Sequence, residues 1–196
     1  MSKKRIVVGI SGATGAISGV SLLEYLRQLP EIEIHLIVSR WAEETIKLET
    51  GYTPQQVHSL ADAWYPADAL DAAVSSGSFT TGGMIILPCS MKTLSAIASG
   101  YTGELLSRAA DVTIKEGRTL VLCPRETPLN AIHLENMLKL SRIGVKIVPP
   151  MPSFYQNPTT IEDLVHYQVV RVLDQLNIHI EHSGRWDKIP EAIERT

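Results

Sequence analysis

The sequence predicts one three-layer α/β domain built on a doubly wound parallel sheet. Short apolar runs rich in β-branched residues alternate with longer amphipathic segments, and continuous apolar runs are typical of parallel strands that helices cover on both faces. The first run passes directly into a glycine-rich turn that opens a helix, as βα units require. A chain of 196 residues, 44% of them hydrophobic, is long enough to bury the core of one such domain.

Five strands and seven helices follow from these periods in chain order. The apolar runs predict strands at residues 5–10, 33–38, 84–87, 119–122 and 145–148. The amphipathic segments predict helices at residues 18–29, 41–50, 54–61, 94–98, 104–116, 129–143 and 161–176. The Gly/Ser-rich stretch at residues 75–83 is too short for an interdomain linker, so we expect residues 1–196 to form a single domain.

Composition and charge exclude several classes of protein. A net charge of −3 gives no general attraction to nucleic acid or to anionic membranes, so we expect neither as a partner. Cys89 and Cys123 lie far apart and outside any C-x-x-C pair, which favours reduced thiols over a disulfide or a zinc site. The apolar run behind the basic start is too short for a signal segment or a membrane span. We therefore expect a soluble, cytoplasmic protein without a metal.

The glycine-rich turn is the segment Ser11-Gly12-Ala13-Thr14-Gly15. Glycines allow the backbone to approach an anion, and the N–H groups that start the next helix point towards it. Together with Gly9, however, these glycines have the spacing G-x-x-G-x-x-G, whereas dinucleotide-binding folds have G-x-G-x-x-G. Taken alone, the turn indicates either a phosphate loop or simply a tight connection between strand and helix.

Polar residues also follow the next three predicted strands. They are Ser39 and Arg40 after the second strand, residues 90–93 after the third, and Arg125 and Thr127 after the fourth. Because ligands of doubly wound sheets bind beyond the carboxyl ends of the strands, these groups suit an FMN-sized ligand that combines a phosphate with a hydrogen-bonding ring. Ser39, Ser90 and Thr127 are equally the residue types that cap helix N-termini, and that interpretation stays open for each.

A dinucleotide-binding oxidoreductase is the main alternative at this point. An NAD-binding fold usually ends its second strand with an acidic residue that holds the ribose hydroxyls, but here Val38 is followed by Ser39 and Arg40. Arg40 suits the 2′-phosphate of NADP, yet the chain contains no Tyr-x-x-x-Lys pair of the short-chain dehydrogenase kind. An NAD(P)-binding oxidoreductase therefore ranks behind an FMN protein.

A series of ordered motifs along nearly the whole chain carries a family resemblance. They are Gly-Ala-Thr-Gly at 12–15, Leu-Glu-Thr at 48–50, Ser-Gly-Ser at 76–78, Pro-Cys-Ser-Met-Lys-Thr at 88–93, Arg-Ala-Ala-Asp at 108–111, Lys-Glu at 115–116, Pro-Arg-Glu-Thr-Pro-Leu at 124–129, His-Leu-Glu-Asn-Met at 133–137 and Pro-Ser-Phe-Tyr at 152–155. In these motifs the chain resembles the UbiX-like flavin prenyltransferases, and somewhat more those that accompany phenolic-acid decarboxylases.

The resemblance implies a flavodoxin-like fold and a homododecamer, with the C-terminal helix and tail, about residues 161–196, contributing to subunit contacts. It also implies a transferase that joins a dimethylallyl group from dimethylallyl monophosphate to N5 and C6 of reduced FMN, with no metal. The product, prenylated FMN, would serve a UbiD-type decarboxylase in ubiquinone synthesis or in phenolic-acid breakdown.

Matching the family position by position implies two ligand sites. The resemblance assigns FMN binding to Gly12, Ala13, Thr14, Ser39, Ser90, Met91, Lys92, Thr93 and Arg125. It assigns the prenyl phosphate to Ser76, Arg108, Lys115, Arg125, Glu126, Tyr155 and Arg171. Thr14 departs from the serine of many relatives, but it keeps the hydroxyl on a stiffer side chain, so we expect its contact to survive.

Two of these cations share a predicted helix face. Arg108 and Lys115 are separated by two helical turns, with Asp111 between them. They could bind one anion together, or they could form a solvated salt-bridge ladder with Asp111. The resemblance favours the shared anion and places Arg108 at a subunit interface near the site.

Arg171 and Tyr155 each have a local argument of their own. Arg171 stands in the apolar run Val169-Val170-Arg171-Val172-Leu173, so we expect it to be buried and to need an anion. The alternatives are a snorkelling side chain, or an ion pair with Asp163, Asp174 or a neighbouring subunit. Tyr155 follows a proline-rich connector that would hold its hydroxyl in place, although a packing aromatic is equally consistent with that position.

The predicted catalytic residues are Glu49, Lys115 and Glu126. A prenyl phosphate becomes an electrophile only as its C–O bond ionises, so we expect Lys115, Arg125 and Arg171 to capture the departing phosphate. Glu126 is the candidate acid or base acting through that phosphate, and Glu49 is the candidate beside the flavin ring. An ordinary surface carboxylate at a helix end is the alternative for Glu49.

Other reactive or aromatic side chains receive structural interpretations. Trp64 and Trp186 offer π surfaces to an allylic cation, but packing is their default role. His133 is expected to be structural or interfacial and Cys89 to be an inert buried thiol.

Two further functions stay open for the whole protein. One is a flavoprotein decarboxylase of the peptidyl-cysteine type, which is disfavoured because the first predicted helix has no histidine. The other is a non-catalytic FMN-binding subunit of an aromatic-acid decarboxylase.

Overall fold

A six-stranded, all-parallel sheet forms the centre of the molecule, in a computed structural model that describes residues 3–180. The strands are β1 (Lys4–Ile10), β2 (Ile32–Val38), β3 (Ala63–Tyr65), β4 (Met84–Cys89), β5 (Leu120–Pro124) and β6 (Lys146–Ile147). They lie in the order β3-β2-β1-β4-β5-β6. The five predicted strands alone have the flavodoxin order, and the added edge strand gives the order of the classical dinucleotide-binding folds. The predicted fold class is confirmed.

All seven predicted helices are present, with ends shifted by a few residues. They are α1 (Ala16–Arg27), α2 (Arg40–Glu49), α3 (Pro54–His58), α4 (Met91–Ser99), α5 (Leu105–Lys115), α6 (Ala131–Arg142) and α7 (Ile161–Asp174). Side chains that cap helix starts explain most of the starting points. Among residues 3–180, no helix is both long and apolar enough to span a bilayer.

Strand β3 is the element that the sequence did not predict. It is only three residues long and pairs with residues 35–37 of β2 at the edge of the sheet. Its residues are half-buried or exposed, so they lack the continuous apolar run that marked the other strands. Pairing with β2, not local sequence, therefore creates this strand.

Alternate residues of the strands pack into two separate cores, one on each face of the sheet. Ile6 and Val8 of β1 join α1, α2, α3 and α7 on the first face. Val7 of β1 joins α4, α5 and α6 on the second. Because both faces are covered, nearly every central strand residue is apolar, which is the pattern that made the strands recognisable.

The chain reverses direction across the sheet between β1 and β4. The strands that follow β1 lie on one side of it up to β3, and those from β4 onwards lie on the other. The loops after β1 and β4 therefore diverge at a topological switch point, where a crevice opens at the carboxyl ends of the strands. The predicted FMN residues lie in these loops or directly beside them.

Candidate functional site

Hydrogen bonds fasten the loop after β1 to the loop after β4. The Ser11 hydroxyl donates to the Pro88 carbonyl (3.0 Å) and accepts from the Ser90 N–H (2.7 Å). The Ser11 N–H also donates to the Pro88 carbonyl (3.2 Å). Ser11 is buried, so these bonds are shielded from water. Gly12–Thr14 and Ser90–Thr93 consequently form one fixed rim of the crevice.

Gly12 has a close neighbour that explains the absence of a side chain. A Cβ atom at position 12 would lie 2.5 Å from the Cβ of Trp41, at the start of α2. The three-residue segment Gly12–Thr14 therefore passes directly against α2. Next to it, Gly15 has a φ of 97°, in the left-handed region that glycine tolerates best. The tight turn that the sequence indicated is thus present.

The serines after β2 and β4 are helix caps, as one of the two interpretations held. The Ser39 hydroxyl accepts from the Ala42 N–H (3.3 Å), and that of Ser90 accepts from the Thr93 N–H (3.2 Å). The Ser90 hydroxyl also donates to Thr93 Oγ1 (3.1 Å). Each hydroxyl has two lone pairs and one proton, so capping leaves room for a ligand.

Thr127, in contrast, is not a cap. Helix α6 is capped by Asn130, whose side chain accepts from the His133 N–H (2.9 Å). The Thr127 N–H donates to Glu126 Oε1 (2.9 Å). The capping interpretation of Thr127 was therefore wrong, because the helix begins three residues later than its position would require.

Glu49 is neither an isolated surface carboxylate nor remote from the crevice. From the end of α2 it accepts hydrogen bonds from the Gly15 N–H (2.7 Å) and the Ala16 N–H (3.1 Å) at the start of α1. The N-cap residue of α1 is Gly15, which has no side chain to cap the helix. The positive end of α1 thus faces a carboxylate of the chain itself, which corrects the expectation that these N–H groups are exposed to a ligand phosphate.

Arg125 and Glu126 stand at the same edge of the sheet. They follow β5, and the Arg125 N–H donates to the Cys89 carbonyl at the end of β4 (3.1 Å). Both side chains are exposed. The predicted FMN residues, together with Glu49 and Glu126, are therefore gathered around the carboxyl ends of β1, β2, β4 and β5.

A cleft of about 420 Å³ opens next to this group. Its wall includes Trp41, Trp64 and Lys92, and Lys92 is one of the predicted FMN residues. Trp64 stacks on His58 with ring centroids 4.1 Å apart. Lys92 donates to Glu104 (2.6 Å). The sequence did not identify Trp41 or Glu104 as lining this cleft, because no motif links them.

Lys115 lies at the opposite edge of the sheet. Helix α5 begins near the carboxyl ends, where the Leu105 N–H donates to the Ala67 carbonyl just after β3. Its 11 residues extend about 16 Å towards the amino ends. Lys115 in the last turn therefore lies at the amino edge. There it contacts Glu116 (Nζ to Oε1, 2.5 Å) and approaches Gly77. Within one chain, Lys115 and Arg125 cannot hold the same phosphate.

Ser76 belongs to the same amino-edge group as Lys115. Its hydroxyl is 2.9 Å from that of Ser78, and the intervening Gly77 is the residue that Lys115 approaches. The two residues lie far apart in sequence, and the fold brings them close together at this edge.

Arg108 makes the ion pair that the structural interpretation anticipated. Its Nη1 lies 3.2 Å from Asp111 Oδ2 on the same helix. Lys115, however, pairs with Glu116 and not with Asp111. The proposed ladder is therefore real for Arg108 only, and both partners are partly exposed.

Arg171 is not buried, and that expectation was wrong. Its side chain is 52% exposed and pairs with Asp174 at 3.2 Å. The apolar residues beside it in sequence turn towards the core, and the helical period brings Arg171 to the outer side of α7. An ion pair with Asp174 was among the alternatives.

Tyr155 shares a cluster with Arg171 that includes a residue the sequence missed. The hydroxyls of Tyr155 and Tyr167 are 3.0 Å apart and their rings are nearly perpendicular. Tyr167 lies one turn before Arg171 on α7. The hydrogen bond with Tyr167 and the charge of Arg171 lower the pKa of Tyr155. Helical spacing from Arg171 was the only signal that could have identified Tyr167.

The remaining candidates have structural roles. Burial raises the pKa of the Cys89 thiol to about 12, so it is inert at neutral pH. His133 Nδ1 accepts from the Asn130 N–H (3.4 Å) in a capping box. Trp186 lies outside the described residues. In the described part of the chain no three His, Cys, Asp or Glu side chains converge as a metal site would require.

Comparison with known proteins agrees with this architecture. The sequence profile of the Flavoprotein family matches residues 1–173. A probable UbiX-like flavin prenyltransferase of Escherichia coli is 56% identical, over 96% of this chain and 95% of that protein. The crystal structure of a dodecameric FMN-dependent UbiX-like decarboxylase from Escherichia coli O157:H7 has a TM-score of 0.92 at 54% identity, covering 94% of this chain and 100% of that one. AnUbiX (PadA1) in complex with FMN and dimethylallyl pyrophosphate has a TM-score of 0.90 at 50% identity, with the same coverage.

Proposed function

Because the chain belongs to the Flavoprotein family and, within it, to the UbiX-like flavin prenyltransferases, we infer that it is a flavin prenyltransferase acting on FMN. The prenyl donor that we propose is dimethylallyl monophosphate, and the proposed bonds are those to N5 and C6 of the reduced flavin. The observation that carries the proposal is the fixed rim after β1 and β4, which joins the glycine loop to the hydroxyls of Ser90 and Thr93.

The rim has the donor set that FMN requires. Gly12 lets the loop pass against Trp41, where a side chain would collide, and the exposed backbone at Gly12 is available to a phosphate or a ring edge. Thr14 and Arg125 are exposed at the same edge and would supply a hydroxyl and a guanidinium. An arginine binds phosphate through two parallel hydrogen bonds. FMN therefore fits the residues that surround this crevice, and the cleft beside Lys92 offers aromatic walls next to it.

The cations assigned to the prenyl phosphate would drive the transfer. Reduced FMN supplies the nucleophilic N5 and C6 positions. In the proposed reaction Lys115, Arg125 and Arg171 bind the phosphate more strongly as the C–O bond breaks, because negative charge accumulates on the departing oxygen. The electron pair of that bond leaves with the phosphate, and Tyr155 would orient the group by hydrogen bonding.

Forming the second bond requires one proton to be delivered and one to be removed. Glu126 is exposed beside Arg125, where it could exchange a proton with the bound phosphate. Glu49 already holds two N–H groups at the edge of the crevice, so it is fixed next to the predicted flavin position. We propose that Glu126 transfers a proton by way of the phosphate, and that Glu49 acts as an acid or base beside the flavin ring.

A complete site would need more than one copy of the chain. Lys115 and Ser76 stand at the amino edge, whereas Arg125 and Glu126 stand at the carboxyl edge. Helix α6 also carries the exposed apolar side chains of Ile132, Leu134 and Leu138, which is unusual for a helix in contact with water. Together with the dodecameric relative, this supports a homo-oligomer, and specifically a dodecamer, in which one copy brings Lys115 to the crevice of another.

The proposed consumer of the product is a UbiD-type decarboxylase, and the proposed location is the cytoplasm. The experiment that tests the function is anaerobic incubation of the protein with reduced FMN and dimethylallyl monophosphate, followed by mass spectrometry of the released flavin. A gain of one C5 prenyl unit supports the transferase, and a parallel reaction with dimethylallyl pyrophosphate identifies the donor. Unmodified, tightly bound FMN would favour the non-catalytic subunit, and absence of flavin binding would favour the NAD(P) alternative.

A further inference from the structure

The amino-edge group around Lys115, here called the Lys115 cluster, consists of Lys115, Glu116, Arg118 and the loop of residues 76–79. Lys115 Nζ donates to Glu116 Oε1 at 2.5 Å, and Glu116 Oε2 lies 4.0 Å from Arg118 Nη2. The Glu116 carboxylate is thus placed between two cations. The hydrogen bond from Lys115 lowers the pKa of the Glu116 carboxyl, so Glu116 is charged at neutral pH.

Arg118 is the fixed part of the Lys115 cluster. Its side chain is only 15% exposed, and its guanidinium donates to the carbonyls of Gly77 (2.7 Å) and Phe79 (2.9 Å). A planar guanidinium with two such bonds has little freedom to move. It therefore anchors the loop and gives the second oxygen of Glu116 a constant neighbour.

Gly77 allows the loop to pass directly beside the ion pair. A Cβ atom at this position would lie 2.2 Å from Glu116 Oε1 and 2.8 Å from Lys115 Nζ. The ammonium is thereby held next to the segment that carries the hydroxyls of Ser76 and Ser78. One of its three donors goes to Glu116, which leaves two N–H donors that an anion bound beside this loop could accept.

We propose that Glu116 is a positioning residue for prenyl transfer, which holds the Lys115 ammonium against the loop of residues 76–78 so that it meets the departing phosphate. The proposal rests on the proposed function, in which Lys115 binds that phosphate. A lysine has a flexible four-carbon stem and loses much rotamer freedom when it must act at one point. Glu116 imposes that restriction before the substrate arrives, which is the usual basis of preorganisation.

The charges of the cluster determine which kinetic constant responds. Replacing Glu116 with glutamine leaves Lys115 and Arg118 both positive, so the general attraction for a phosphate is retained. The ammonium, however, loses the carboxylate that fixes it beside Gly77. Ground-state binding should therefore change little, whereas stabilisation of the departing phosphate should weaken.

The test compares Glu116→Gln and Glu116→Asp with wild type and with Glu44→Gln as the matched control. Glu44 pairs with Lys47 at 2.8 Å on the exposed surface of α2, and it is not among the residues assigned to FMN or to the prenyl phosphate. For Glu116→Gln we expect kcat to fall about tenfold, with the KM for dimethylallyl monophosphate changing by less than about threefold. Glu116→Asp keeps the charge and should lie between Glu116→Gln and wild type. Flavin affinity and melting temperature should match those of Glu44→Gln.

A second variant probes the same contact from the loop. Gly77→Ala places a methyl group where the Lys115–Glu116 pair now lies, so it should reproduce the loss in kcat while leaving the charges intact. The proposal is overturned if Glu116→Gln has the kcat of wild type, or if its loss in kcat accompanies equal losses in flavin affinity and melting temperature. Lys115→Ala, assayed alongside, separates the two levels: if it too retains full activity, the proposed role of Lys115 fails, and not only that of Glu116.

Discussion

The two edges of the sheet are built in different ways. At the carboxyl edge, loops are joined by backbone and hydroxyl hydrogen bonds through the buried Ser11. At the amino edge, the Lys115 cluster consists of partly exposed ion pairs beside a surface loop. The carboxyl edge is therefore preorganised within one chain, whereas Lys115 and Ser76 at the amino edge lie apart from Arg125 and Glu126 of the same chain. Under the proposed function, the two edges would therefore meet only where two copies of the chain contact each other.

Lys115→Ala should cause the largest loss of activity. Its removal takes away a cation from the departing phosphate but leaves the carboxyl edge untouched, so product formation should fall by more than about 100-fold while FMN still binds. Mass spectrometry of the flavin and FMN fluorescence titration measure the two effects. Lys47→Ala, which removes an exposed lysine of another surface ion pair, is the control. Joint loss of product and FMN binding would show that the two edges are not independent.

Mixed oligomers test whether the two edges act in different chains. Lys115→Ala and Glu126→Gln should each be nearly inactive alone. When the two are coexpressed with different affinity tags and isolated together, about one quarter of the sites should combine an intact Lys115 from one copy with an intact Glu126 from another. Recovery of roughly that fraction of wild-type activity is the expected result. If both residues act from one chain, every site lacks one of them and nothing is recovered.

The sequence predicted the carboxyl edge better than the amino edge for a physical reason. Residues that directly follow parallel strands must meet at one edge, so Ser39, Ser90 and Arg125 could be grouped from their positions alone. Lys115 and Ser76 could be recognised only by family resemblance, because their spatial arrangement depends on the direction of α5 and on a long loop. Strand β3 was missed because its three residues have no period of their own.

Two individual residues show where local pattern misleads. Arg171 was expected to be buried because apolar residues surround it in sequence, but on a helix sequence neighbours point to different sides, and its side chain is half exposed. Glu49 was considered as an ordinary surface carboxylate, yet it bonds to the start of α1. That contact joins two helices through their ends, and no spacing rule within either helix could reveal it.

Glu49→Ala should have a moderate effect on stability as well as on activity. Losing the cap of α1 should lower the free energy of unfolding by about 1 kcal/mol, whereas Glu49→Gln retains an oxygen acceptor and should lose less. If Glu49 also transfers a proton, both variants should lose activity to a similar degree despite their different stabilities. Chemical denaturation and product assays provide the two readouts. Activity that follows stability through the two variants would restrict Glu49 to its capping role.

The smallest expected effect is a loss of stability at low pH. It arises from two histidines that take no part in the proposed reaction. His35 is 3% exposed on β2 and contacts Tyr65 (2.8 Å) and Glu33 (3.0 Å). His58 lies beneath Trp64 in the cleft wall, and its Nε2 is 3.6 Å from Glu43. Burial lowers the pKa of both imidazoles, and the nearby carboxylates only partly oppose this effect.

A lowered pKa in the folded state means that the unfolded chain takes up a proton first as the pH falls. Stability should therefore be constant above the ordinary histidine pKa of about 6.5 and decline below it until the pH passes the folded values. Denaturation midpoints measured at several pH values between 8 and 5 should show this slope, and His58→Gln should reduce it. Because His58 supports Trp64, acid should also alter the tryptophan fluorescence of the cleft, and Trp64→Phe should remove that change. A fluorescence change that persists in His58→Gln would mean that acid acts on the cleft through another group.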